Sequence, residues 1–240
     1  MRIAVLSDIH SNLVALDAVL GHLGSVDAVW QLGDVVGYGP EPDGVVDRLA
    51  GIGAIGVRGN HDAAALGGPE IEWFNPDARA AMEWTRRSIS EATAAWLAGL
   101  PERLTERGAT LVHGSLREPL WEYITSDPVA RATLALLTTP LGLHGHTHLP
   151  IVWAEHPGGV ETIAPSNGST FGYGGRRALL NPGSVGQPRD GEPTASYLVL
   201  DTAVERADWH RVPYDIPAVQ TAMRARSLPG RLVERLAFGV

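Results

Sequence analysis

Five short segments hold most of the side chains able to bind a metal or move a proton. They are Asp8-Ile9-His10, Gly33-Asp34, Gly59-Asn60-His61-Asp62, His113-Gly114 and Gly145-His146-Thr147-His148. Asp8 and His10 stand two apart, as do His146 and His148. In an extended chain that spacing turns both side chains to one face, so each pair offers two ligands to one site. Gly33, Gly59, Gly114 and Gly145 adjoin the candidate ligands, where glycine permits tight turns and close backbone approach. Histidine, carboxylate and one amide suit divalent ions of intermediate hardness, manganese first, with iron, zinc or nickel as alternatives. The set is too rich in nitrogen for calcium. Seven candidates, Asp8, His10, Asp34, Asn60, His113, His146 and His148, exceed what one tetrahedral ion takes. They suit two ions sharing a bridging carboxylate.

These segments meet only if the backbone delivers them to one place. Each follows a run that reads as a β-strand. Residues 2–7 are apolar and end in a polar residue, as a buried strand would. Residues 28–32 and 52–58 read as further strands closed by Gly33-Asp34 and Gly59-Asn60. Between them, Leu13, Leu16, Leu20 and Leu23 recur at helical spacing behind Asn12, and Pro42 opens a helix to residue 50. Alternating strand and helix predict an α/β fold with parallel pairing. In such sheets the carboxyl ends of the strands border the ligand crevice. Strands at 110–112 and 141–144 deliver His113 and His146 to the same rim.

Residues 77–99 predict two helices and 128–138 another. After Pro150, strands at 151–154, 160–163, 178–180, 196–200 and 208–212 predict a mainly antiparallel second sheet. Segment 165–177, PSNGSTFGYGGRR, reads as a long loop, either functional or disordered. Two amphipathic stretches parted by Pro229-Gly230 fill 215–238. With no repeat and no linker, residues 1–240 read as one domain, with a lid segment at 115–140 and a helical tail at 215–240.

Composition excludes several classes. Hydrophobic residues are 44 % and charged residues 19 %, enough for a buried core and unlike a disordered chain. No run of 18 apolar residues predicts a membrane span, and MRIAVLSDIH does not read as a signal peptide. Cysteine is absent, which rules out disulfides and thiolate chemistry and fits a cytoplasmic location. The net charge of −8 gives no general grip on nucleic acid or membrane, so attraction for an anion must be local. All 19 basic residues are arginine, which excludes a lysine Schiff base or P-loop.

The ordered set D-x-H, G-D, G-N-H-D, H and G-H-x-H resembles the calcineurin-like metallophosphoesterase superfamily over residues 1–200. GDVVGYGP at 33–40, HGS at 113–115 with Pro119-Leu120-Trp121-Glu122-Tyr123, and NPGSVGQPRDG at 181–191 are similar to one small bacterial and archaeal branch. Its members are often labelled phosphodiesterases or diadenosine-tetraphosphatase-like proteins. The resemblance implies a four-layer α/β/β/α sandwich. It places Asp8, His10 and His148 at one ion, Asn60, His113 and His146 at another, and Asp34 between them. His61 would face the substrate without binding metal, and Asp62 would orient His61. Two ions would clamp a phosphate and hold a hydroxide that attacks phosphorus in line, while His61 stabilises charge or protonates the leaving oxygen. The implied activity is hydrolysis of a P–O bond in a small phosphodiester or a nucleotide polyphosphate. A nuclease of the same superfamily and a non-catalytic interaction module are the alternatives. The expected partner is a small phosphorylated substrate, not a membrane or nucleic acid, and a homodimer is one option for assembly.

Other residues have a plainer reading beside a functional one. His144 shares the parity of His146 and His148 but reads as a supporting residue, and His22, His156 and His210 as ordinary histidines. Tyr38, Trp121, Glu122 and Tyr123 are packing residues that could instead border the substrate. Arg58, Arg117, Arg176, Arg177 and Arg189 could each grip a second phosphate. Residues 181–184 read as a tight turn near the site.

Overall fold

From Ile3 to Leu6, every residue of β1 (Arg2–Leu6) is buried, because both faces of that strand are covered. Ile3 and Val5 enter one apolar core while Ala4 and Leu6 enter another. A strand buried on two sides reads as an unbroken apolar run rather than an alternating one. In this computed structural model, which describes residues 1–240 apart from the side chains of Pro69 and Glu70, α1 (Leu13–His22), β2 (Ala28–Gln31), α2 (Pro42–Gly51), β3 (Ile55–Gly56) and α3 (Asn60–Ala65) follow. After a 3₁₀ turn at Pro69–Trp73 come α4 (Pro76–Ser88), α5 (Glu91–Ala98), β4 (Arg103–Glu106), β5 (Ala109–Val112), α6 (Asp127–Leu136) and β6 (Leu141–Leu143). The remainder is β7 (Pro150–His156), β8 (Gly159–Ile163), β9 (Thr170–Gly172), β10 (Ala178–Pro182), β11 (Ala195–Asp201), β12 (Arg206–Val212), α7 (Ile216–Ala225) and α8 (Gly230–Arg235).

The strands form two six-stranded mixed sheets, in the orders β3-β2-β1-β11-β12-β9 and β4-β5-β6-β10-β7-β8. Ile3, Val5, Trp30 and Leu32 of the first meet Leu111, Leu143, Val152 and Leu180 of the second in the central core. Leu16 and Val19 of α1, with Val45 and Leu49 of α2, cover the outer face of the first sheet. Ala130 and Leu134 of α6 cover Trp153 and Leu179 on the outer face of the second. The result is the four-layer α/β/β/α arrangement expected. A fourth apolar cluster seats α7 and α8 against α4 and Tyr38, which brings the C-terminal helices to the rim of the site. No helix among the described residues is long and apolar enough to cross a membrane.

Three expectations are corrected. The strands after Pro150 do not make a sheet of their own. β9, β11 and β12 extend the first sheet and β7, β8 and β10 the second, because β1 and β6 each leave an edge that an incoming strand can satisfy. Segment 165–177 is not a structureless loop. β9 pairs with β12, and Phe171 and Tyr173, two apart, anchor it in the central core. The strand at 52–58 shrinks to Ile55–Gly56. Beyond it the Gln31 side chain takes over the ladder, donating to the Val57 carbonyl at 2.9 Å and accepting from Gly33 N–H at 2.6 Å.

Candidate metal centre

Asp8 and His10 lie just past the end of β1, Asp34 past β2, Asn60 at the start of α3, His113 past β5, and His146 and His148 past β6. The loops are zipped together by main-chain bonds. Asp8 N–H donates to Gly33 C=O at 3.1 Å, His10 N–H to Asp34 C=O at 2.9 Å, and Gly145 N–H to His113 C=O at 2.9 Å. Asp8 and His10 do converge, while His146 and His148 part to two neighbouring groups of donors, and strand parity explains neither. Asp8, His10, Asp34, His146 and His148 all have φ between 49° and 66°. This left-handed region is uncommon for non-glycine residues and gathers where function demands a fixed direction. Close approach also dictates two glycines. A Cβ at Gly59 would strike the Asp34 carboxylate, and one at Gly145 would strike Ser7 and Asp8.

Two groups of donor atoms result. One atom each from Asp8, His10, Asp34 and His148 lie within 4.8 Å of one another, and so do atoms of Asp34, His113 and His146. Asn60 joins the second group, its Oδ1 at 3.1 Å from His113 Nε2. The same oxygen of Asp34, Oδ2, stands 3.7 Å from His10 Nε2 and 3.3 Å from His113 Nε2. It therefore borders both groups. Its partner Oδ1 accepts from His61 N–H at 2.9 Å.

The imidazoles are fixed from behind. Nδ1–H of His10, His113 and His148 donates to the carbonyls of Val36 (3.3 Å), Leu32 (2.8 Å) and Gln187 (2.6 Å). That leaves each Nε2 directed at the site. His146 is reversed: Nε2–H donates to the Trp121 carbonyl at 3.2 Å, and Nδ1 lies 3.0 Å from His113 Nε2. Tyr123 stacks on the His146 ring with centroids 3.7 Å apart. Asp8 Oδ2 accepts from Ser7 Oγ–H and His146 N–H, whereas Asp8 Oδ1 is buried with no hydrogen-bond partner. That orphan oxygen faces His148 Nε2 at 3.3 Å, and His148 Nε2 faces His10 Nε2 at 3.1 Å. Three metal-binding atoms thus converge with no hydrogen-bond donor supplied from outside the three. Spacings of this size are those of ligands about 2.1 Å from a shared ion, so the residues fit a divalent cation.

Comparison with known proteins gives the family. Residues 1–205 match the calcineurin-like phosphoesterase superfamily domain. The chain belongs to that superfamily. Its fold matches the crystal structure of a metallophosphoesterase from Sphaerobacter thermophilus, 43 % identical, with a TM-score of 0.93 over 100 % of both chains. An uncharacterized protein of Methanocaldococcus jannaschii is 34 % identical across 99 % of this chain and 98 % of its own length. A symmetrical bis(5'-nucleosyl)-tetraphosphatase of Nitrosococcus oceani is 32 % identical over 57 % of this chain, which spans about half (52 %) of that relative.

Electrostatics within this phosphoesterase site follow from burial. Burial opposes ionisation of Asp34, but His113 and His61 outweigh it and hold the carboxyl well below the usual range. Burial likewise opposes a charge on His113, yet Asp34 prevails and lifts it to about 9. Burial raises Asp8 to about 7 and keeps His10 and His148 neutral, well below the ordinary histidine value. His61 is held down to about 4, again by burial.

His61 lines the adjoining cleft of about 410 Å³, between Tyr38 and Phe74. Its Nδ1 lies 3.0 Å from Met82 Sδ. The Asp62 carboxylate makes no hydrogen bond to the His61 ring. It accepts from Val36 N–H and Gly59 N–H at 3.0 and 2.9 Å, fastening the Asp34 loop to the start of α3. Any orienting effect on His61 therefore passes through the backbone. His144 supports from behind, with Nδ1 at 3.4 Å from Asn181 Nδ2, and joins neither group of donors. Residues 181–187 form a brace. Asn181 donates to Gly145 C=O at 2.8 Å, Ser184 Oγ–H to Asp8 C=O at 2.7 Å, and Gly186 N–H to the same Asp8 carbonyl at 3.0 Å. Only the first part of 115–140 reaches the cleft, through Trp121 and Tyr123. Helix α6 instead belongs to the outer layer. Sequence reading missed Trp73, Phe74 and Arg235 in the cleft wall. An aromatic and an arginine carry no local signal of their address.

Proposed function

We propose that this protein is a metal-dependent phosphoester hydrolase that takes two divalent ions and cleaves a P–O bond of a small phosphodiester or nucleotide polyphosphate. The observation that carries the reading is the meeting of His10 Nε2, His148 Nε2 and Asp8 Oδ1 beside a second group that shares Asp34 Oδ2. Asp8, His10, Asp34 and His148 would hold one ion, and Asp34, Asn60, His113 and His146 the other. Such ions supply Lewis acidity toward phosphoryl oxygens and a water acidic enough to react near neutral pH. Mixed imidazole and carboxylate ligands are compatible with manganese, iron, zinc or nickel, and of these we take manganese as the first to test.

The chain's own residues set up the rest. His61, neutral because burial holds it near 4, has its Nδ1 3.0 Å from the Met82 thioether, which can only accept, so the ring's one proton sits on Nδ1 and Nε2 is left as an acceptor for the O–H of a water or substrate. Phe74, Tyr38 and Met82 restrict its ring to that direction. The nucleotide-polyphosphate half of the reading draws support from the tetraphosphatase relative. The cleft of about 410 Å³ suits a small ligand better than a nucleic acid strand.

The test is chelation followed by add-back of single divalent ions, with turnover of an activated aryl phosphodiester and bound metal measured on the same samples. Two ions per chain and activity that returns with metal are expected. Activity that survives complete metal removal sinks the reading. Asp34→Ala should lower the content of both ions together, since its Oδ2 borders both groups.

A further inference from the structure

Of the five arginines singled out in the sequence, four are spoken for. Arg58 pairs with Glu102, Arg117 with Glu122, Arg176 with Glu161 and Arg177 with Glu155. Arg189 is different. Its guanidinium lines the cleft beside the metal-binding residues and lies 5.9 Å from the centre of the Tyr38 ring. Its Nη2 donates to Gln187 Oε1 at 3.0 Å, and its Nε is buried with no partner. The adjacent carboxylate, Asp190, is turned away and pairs with Arg211. Arg189 therefore has no ion pair among the described residues, in a chain with eight more acidic than basic groups.

A second guanidinium shares that wall. Arg235 of α8 lines the same cleft and gives its Nε–H to the Val240 carbonyl. Partial burial and the charge of Arg189 both lower its pKa. Two like charges held together in a cleft are unfavourable until an anion lies between them. The anion on the reacting centre does not meet that need. Two divalent ions against Asp8 and Asp34 leave about +2, already more than the single charge of a phosphodiester. The planar fork of arginine matches a phosphate face.

We infer that Arg189, with Arg235 beside it, forms a subsite for a second phosphate group, so that the substrate is a polyphosphate chain rather than a simple diester. This rests on the proposed function, because the first phosphate is taken to sit on the metal-binding residues.

The experiment measures Kd of the manganese-loaded protein for methylenediphosphonate and for methylphosphonate, by calorimetry, in the parent, Arg189→Gln, Arg189→Lys and Arg235→Gln. Turnover of an aryl phosphodiester runs alongside. The parent should prefer the diphosphonate. Arg189→Gln should lose about 10–100-fold of its affinity for the diphosphonate, the worth of one charge-assisted fork, and at least tenfold less for the monophosphonate. Arg189→Lys should recover part of the loss by restoring charge without the fork, and Arg235→Gln should show a smaller loss of the same pattern. Equal losses on both ligands overturn the subsite, even if the diester is hydrolysed and the proposed function stands. Arg189-dependent preference for the diphosphonate, with no metal-dependent hydrolysis of the diester, keeps the subsite and removes the proposed activity.

Discussion

His10 Nε2, His148 Nε2 and Asp8 Oδ1 face one another across 3.1–3.3 Å, and once Asp8 has ionised, above about pH 7, no proton separates them. In the metal-free chain, part of the cation's place is taken by a proton on His113, which Asp34 holds up to about 9. The sign of the pH dependence follows. Below about 9 a metal must displace that proton, so binding releases it and apparent affinity rises with pH, by up to about tenfold per unit for one proton. Above about 9 this dependence fades. Calorimetry in buffers of different ionisation enthalpy at pH 7.5 should report the release, and a heat independent of buffer would refute it. His61 behaves differently because it belongs to neither group of donors. His61→Ala should retain both ions and lose about 10²–10⁴ in turnover. Near-normal turnover, or loss of metal, would contradict the role given to it. The seven liganding types were legible because histidine and carboxylate beside glycine are informative in any order. The role of Asp62 was less so, because a carboxylate beside a histidine in sequence need not touch it in space.

At the scale of elements, the strands deliver the residues but the loops aim them. Most strands and helices were legible in the sequence, though α3 and β9 were not, and the pairs Asp8/His10 and His146/His148 stood out for a partly mistaken reason. Left-handed turns at non-glycine positions leave no mark in the residue types, so parity in an extended chain stood in for them. β4 was missed because its edge position lets it be polar, RLTE, although the Arg107-Gly108 turn with φ of 45° and 79° is a hairpin signal. The brace at 181–187 holds these turns. Asn181→Ala would strand Gly145 C=O and Gly183 N–H in a buried place. We expect a stability loss of about 1–3 kcal/mol in urea unfolding and a loss of about 10–100-fold in metal affinity. A chain that is less stable but binds metal normally would mean that the brace supports the fold without orienting the ligands.

For the whole molecule, three buried carboxylates, Asp8, Asp34 and Asp62, crowd one point where the two sheets meet the helices. Folding without cations leaves that crowding in place, so ions should stabilise the chain as ligands do. At a free concentration of 100 times Kd each site adds about 2.7 kcal/mol, and the melting temperature should rise by about 5–10 °C per site. Scanning calorimetry with manganese and with chelator checks this, and coincident curves would contradict it. The four-layer plan was legible as a class, while the division of the C-terminal strands between two sheets was not, since local pattern does not say which edge a strand will join. That division bears on biogenesis. A ribosome that has released 150 residues has already made every candidate ligand. It has made neither the brace that grips Asp8 and His148 nor β11, which lies between β1 and β12. A nascent chain of that length would carry the candidate ligands without the groups that fix their directions, so we expect the centre to hold metal only after the strands that follow residue 177 have paired with the rest.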